Sequence, residues 1–191
     1  MSNPGTVLAN LPGATDVAIY ENDTDTPDAL LGLDAHSIWC VIEGGVDADI
    51  VETIAKNKTG GTGLKGSTVG TYVETLYKPD GFAYDISHVM RYDRPTYVDL
   101  YIHLTVEGLG GAVVDTAGIS TALAAIDFSI AQTASASALY QTVYSVASNF
   151  VATLLEISND DVTYTDDYLT PGADQIYQIQ VANITITDIT P

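Results

Sequence analysis

The stretch from His36 to Gly61 constrains this chain more than any other. His36-Ser37-Ile38-Trp39-Cys40-Val41-Ile42-Glu43 is apolar on both alternating faces, the pattern of a strand covered on both sides. Gly44-Gly45 allows a tight turn, and Asp47 or Asp49 can cap a helix behind it. Asp49 with Glu52 three residues later fits a capping box. Ile50, Val51, Ile54 and Ala55 make one apolar helical stripe, and Lys56 and Lys58 fall near the negative end of the helix dipole. Gly60-Gly61 stops the helix.

The flanking segments extend this pattern. Residues 5–11 read as a helical turn and Asp16 to Glu21 as a strand, and Asn22 to Asp34, broken by Pro27 and Gly32, as a loop. After the glycine-rich loop from Gly60 to Gly70, Thr71–Tyr77 and Phe82–Tyr92 form a hairpin around Lys78-Pro79-Asp80-Gly81. Tyr97 to Val106 alternates cleanly. Val98, Leu100, Ile102, Leu104 and Val106 line one face, and Tyr97, Asp99, Tyr101, His103 and Thr105 the other.

Two helices of one design follow, Ile119-Leu123-Ile126-Ile130 and Leu139-Val143-Val146-Phe150, joined through Thr133 to Ser137 with a serine available as N-cap. Val151–Ser158 reads as a strand, Asn159–Asp174 as an acidic loop, and Gln175–Thr187 as one or two further strands. The fold class expected is α+β: two small lobes, each a mainly antiparallel sheet with helices packed on one face. Residues 1–34 would pack on the first lobe, residues 35–107 would form that central lobe, and residues 108–191 a C-terminal lobe with two helices, the break falling at Gly108–Gly111.

Charge narrows the partners. Six basic residues face twenty-five acidic ones, a formal net charge of −19. All six bases (Lys56, Lys58, Lys65, Lys78, Arg91, Arg94) lie between positions 56 and 94, a segment of net +2, whereas residues 1–55 and 95–191 carry none. Such a chain repels phosphate backbones, so no nucleic acid partner is expected. The acidic excess is read as a solubilising surface, or as one half of a scheme in which a basic central face meets acidic faces of neighbouring subunits. The second reading predicts association that weakens with added salt. No segment approaches the ~20 apolar residues of a membrane span, and no basic segment precedes an apolar run at the N-terminus. Neither membrane association nor secretion is expected. Cys40 is the sole cysteine, which rules out an internal disulfide, and its place in the apolar strand predicts a buried, inert thiol.

The arrangement HSIWCVIEGGVDADIVETIAKNKTGGTGLKGST resembles the middle of the baseplate J-like proteins, wedge components of contractile phage tails and related injection machines. DVAIYEN at 16–22 resembles the strand preceding that family's central domain, and RYDRPTYVDLYIHLTV at 91–106 its Arg-Pro strand. Ile119–Ser158 and the final Gln180–Ile186 are similar to its C-terminal helices and terminal strand, so the order of segments holds from about residue 12 to residue 188. Members usually carry a further N-terminal region, and the loop Lys65-Gly66-Ser67 lacks the asparagine often seen after the glycine. The resemblance implies a structural subunit of a baseplate, made in the bacterial cytoplasm and located in the virion tail. Its partners would be other wedge, hub and sheath-proximal proteins and further copies of itself. No catalysis and no cofactor are implied.

The residues themselves offer little chemistry. Gly60–Thr68 invites a phosphate-loop reading, but Gly66 separates Lys65 from Ser67 and the loop follows a helix rather than a strand. His36, His88 and His103 do not form a zinc ligand set, and the acidic clusters at 23–28 and 159–167 lack the glycine and spacing of a calcium loop. Twelve tyrosines against three phenylalanines is a surface signal, because amphipathic rings suit a face that becomes buried in an assembly. The candidate interface is therefore Lys56, Lys58, Lys65, Lys78, Arg91 and Arg94 with Tyr97, Tyr101 and His103. The alternative from another class is an acidic, tyrosine-rich carbohydrate-binding or adhesion module.

Overall fold

The computed structural model describes residues 7–191. The chain is α+β, with several small, mostly antiparallel sheets, and divides into two compact units between Pro95 and Thr96. The helical turn expected over 5–11 lies partly outside the described residues; within them Val7 and Leu8 are helical and Leu8 is buried.

In the first unit β1 (Ala14–Asn22) pairs antiparallel with β2 (Ser37–Gly44), and β2 pairs parallel with the short β3 (Gly63–Lys65). Strand β2 is buried from Ser37 to Ile42, as its two-faced apolar pattern requires. Ile38, Cys40 and Ile42 face Ile50, Val51 and Ile54 of α1 (Asp47–Asn57), and Leu8, Met90 and Tyr92 complete that core. Between strand and helix, Gly44 has φ +68°, and the Gly13 carbonyl occupies the space a Cβ would need, so only glycine fits.

The expected capping box at Asp49 and Glu52 does not form. The helix starts three residues earlier than that box requires, with Val46 as N-cap and no side-chain cap. Glu52 turns instead to Lys56 one turn on, an i,i+4 pair, while Asp47 and Asp49 lie in the first turn, where the dipole favours them. The glycine-rich loop is also shorter than expected, because Gly63–Lys65 adds to the sheet as β3.

Strands β4 (Thr68–Tyr77) and β5 (Ala83–Tyr92) form a two-stranded ribbon in continuous antiparallel register from Thr68↔Tyr92 to Tyr77↔Ala83. At its base α1 packs against it: a Cβ on Gly70 would collide with Val51. Further out β4 alternates exposed with half-buried residues, and β5 is exposed at every residue from Ala83 to Ser87.

The second unit is built on a sheet in the order β12–β7–β9. Here β7 (Tyr101–Gly108) pairs antiparallel with β9 (Phe150–Ser158) and parallel with β12 (Ile184–Asp188). Strand β6 (Thr96–Asp99) pairs parallel with β11 (Gln175–Gln178), and β8 (Ala134–Ser135) antiparallel with β10 (Tyr168–Leu169). Ile102, Leu104 and Val106 of β7 join Leu155 and Ile157 of β9, Ile119 and Leu123 of α2 (Thr116–Ala124), and Leu139 and Val143 of α3 (Ala136–Val146) in one core.

Several expectations are corrected here. The division precedes Thr96 instead of falling near Gly108, because β6 and β7 take their partners from the C-terminal end of the chain. The single long strand over 97–106 is two, interrupted at the buried Leu100. Helix α2 stops at Ala124, so Ile126 packs on the core from a loop, in which Ile130 is also buried and Phe128 sets its ring edge-on to Tyr177 at 6.1 Å. Phe150 opens β9 rather than closing α3. Ser135 is the N-cap residue of α3 but its hydroxyl meets Ser137 rather than the helix backbone, whereas Asp115 caps α2 by accepting from the Gly118 amide at 2.9 Å.

Candidate interface

The basic residues of the first unit have separate jobs. Arg94 follows β5 and its guanidinium donates to the carbonyls of Ile42, Gly44 and Gly45 and to the Asp47 carboxylate. It thereby fastens the strand–glycine–helix junction, the planar fork supplying several donors at fixed angles. The neighbouring Tyr92 hydroxyl and then Arg94 hold Asp47 below the ordinary carboxylate range. Burial, then Asp47, pushes the Tyr92 phenol up to about 12.

Asp93 is a second junction. One carboxylate oxygen accepts from the Trp39 indole at 2.7 Å, the other from the Ser67 amide and hydroxyl at 2.7 and 2.5 Å, and its backbone bridges to Val41. Burial works to raise its pKa, and the Ser67 and Trp39 hydrogen bonds and the Lys65 charge outweigh it, so the group stays below its ordinary value. Lys65 lies with Nζ 3.4 Å from the Trp39 ring centroid and donates to the Leu31 carbonyl at 2.5 Å. On its far side Trp39 meets Tyr20 at 5.4 Å. Lys65, which the glycine-rich segment offered as a phosphate ligand, is thus engaged within its own unit.

Lys56 pairs with Glu52, and Lys58 is the half-buried C-cap of α1. Lys78 sits at the ribbon tip, 5.6 and 5.9 Å from the Phe82 and Tyr84 ring centroids, and the exposed Arg91 donates to Gly66 O at 3.3 Å. Arg94, Lys65 and Lys56 therefore serve intramolecular contacts, and Lys78 and Arg91 are the bases carried by the exposed ribbon.

Tyr97, Tyr101 and His103 belong to the second unit. Tyr97 is exposed on β6, Tyr101 is half-buried on β7, and the His103 ring stacks on Tyr164 at 3.8 Å and 10°. Tyr164 donates to Asp161 at 2.6 Å, and burial, then that carboxylate, raises its phenol to about 12. The acidic loop around it is organised by Asp160, which accepts from the amides of Val162 and Thr163 and from the Ser158 hydroxyl. Among the described residues no group of three or more His, Cys, Asp or Glu gathers to hold a metal ion, and no helix is long and apolar enough to cross a membrane.

A run of exposed apolar residues is a feature that sequence reasoning missed. Val69, Val73, Tyr77, Phe82, Tyr84, Ile86 and Val89 all lie on the ribbon and all are exposed. The alternation TVGTYVETLY was a signal for it, but both faces carry apolar side chains and neither reads as the outside. A two-stranded ribbon with this surface has little independent stability in water, and free monomers rarely leave such a patch uncovered. No protein-family model matches this chain, and no curated protein matches it.

Proposed function

We propose that this chain is a structural subunit of a phage tail baseplate, or of a related contractile injection system, that works through protein–protein contacts. The observation that carries the reading is the exposed apolar ribbon, a surface suited to burial against another protein. The resemblance of segments 16–22, 36–61, 91–106 and 119–158 to baseplate J-like proteins, in that order, supports the same reading and supplies the kind of assembly. The hydrogen bonds that Arg94 and Asp93 make within their own unit suit a part that changes its contacts with neighbours without changing its own fold. Deleting the gene tests the proposal: tails should lack baseplates, and sheaths should fail to assemble on them. Normal, complete tails would overturn it.

Exposed Tyr77 and Tyr168 favour the second reading, a glycan-binding or adhesion module, since tyrosine rings are platforms for sugar faces. It predicts saturable binding of the purified chain on a glycan array, whereas the baseplate reading predicts none.

A further inference from the structure

We infer that one face of the β4–β5 ribbon is a two-fold interface between copies of this chain. The face consists of Val69, Thr71, Val73, Thr75 and Tyr77 on β4 and their register partners Arg91, Val89, Ser87, Asp85 and Ala83 on β5. All ten are exposed, while the opposite face at the ribbon base is covered by α1. The inference deepens the assembly reading and rests on it by giving self-association a surface.

Charge selects the occupant. The chain carries −19, so two copies repel each other over most of their surface. This face carries one acid, Asp85, and one base, Arg91, and sums to zero. They lie six residues apart on β5, about 20 Å along the strand. A second copy turned end for end about a two-fold axis between them sets each Arg91 opposite the partner copy's Asp85. The same operation lays Val73 and Val89 of one copy across the central rows of the other, as an isologous interface requires. Asp85 accepts from Thr75 at 2.7 Å and Arg91 donates to Gly66 O, and each keeps further hydrogen-bonding capacity.

Area agrees with a second copy. Val69, Val73, Val89 and Tyr77 are 52, 50, 57 and 74% exposed. With the threonine methyls and Ala83 this is on the order of 500 Å² per copy, or about 1,000 Å² in all, the lower limit of a specific interface. The dimer is accordingly weak and reversible in isolation.

Sedimentation equilibrium of the full chain over a range of concentrations tests this. The expected result is a monomer–dimer equilibrium that V73E/V89E weakens at least tenfold, with circular dichroism and Trp39 emission unchanged. Asp85→Arg and Arg91→Asp should each weaken the dimer, and the D85R/R91D double exchange should restore it, a rescue that a folding defect would not produce. A monomer at every concentration overturns the inference. So does association indifferent to V73E/V89E, or a double exchange no tighter than its single variants. Loss of the baseplate reading would leave these results standing, because they are read on the purified chain alone.

Discussion

The packing of α1 on the ribbon predicts a specific non-additivity between Gly70 and Val51. A Cβ at position 70 would lie 3.3 Å from Val51 Cγ1 and 3.4 Å from its Cβ, and nearer still to Cγ2. Carbon atoms rest at about 3.5–4.0 Å, and a helical valine has one strongly preferred χ1, so Val51 cannot swing clear. Gly70→Ala should therefore cost about 2 kcal/mol through overpacking. Val51 is buried, and Val51→Ala removes two methyl groups, worth about 1.5 kcal/mol in transfer plus a cavity contribution, about 2 kcal/mol together. In the double variant the new methyl at 70 fills the space vacated at 51. The pair should then cost about 1.5 kcal/mol rather than the roughly 4 expected by addition, a coupling of about 2.5 kcal/mol. Urea unfolding followed by Trp39 emission suits the test, since this sole tryptophan is buried in the same unit. Additive costs, or a double variant less stable than either single one, would show that helix and ribbon do not meet as described.

Three further predictions address the junctions and the titrating groups. Arg94→Lys keeps the charge but loses the fork to the Ile42, Gly44 and Gly45 carbonyls; it should cost about 1.5 kcal/mol by the same urea assay, and an unchanged midpoint would deny Arg94 its role. Asp160 is held down at about 2 by the Thr163 amide, the Ser158 hydroxyl and the Val162 amide. Its folded value lies below the ordinary 3.8, so its contribution is present above about pH 4 and is lost as pH falls toward 2. NMR titration should show the depressed carboxyl, with faster exchange of the Val162 and Thr163 amides at the acid end; an ordinary titration would refute the loop geometry. Burial pushes the Cys40 thiol up to about 12, so iodoacetamide at pH 8 should leave the folded chain unmodified and alkylate it in urea. Because the unfolded thiol ionises first, stability should decline as pH rises from about 9 toward 12.

The parts of the fold legible in the sequence are those set by local pattern. Strand β2 shows itself because six successive residues are buried, and the ribbon because Pro79 and Gly81 punctuate two alternating runs. What escaped depends on distant partners. The parallel pairings of β6 with β11 and of β7 with β12 join residues about 80 positions apart, and nothing near Tyr97 announces them. Helix α2 looked longer than it is because Ile126 and Ile130 keep helical spacing, although Ile126 packs on the core from a loop and Ile130 is buried in that loop. At the candidate interface the sequence located every base but not its task. Whether Arg94 faces a neighbour or its own glycine turn depends on chain reversal around the ribbon, and the apolar ribbon face was hidden by apolar residues on both sides.

The central proposal is that this polypeptide contributes contact surfaces to a tail baseplate. Quantitative mass spectrometry of contractile particles purified from its source measures that claim most directly. The account predicts this chain at a fixed, small-integer ratio to the other baseplate components in intact particles. Its absence from particles that retain their baseplates would contradict the account.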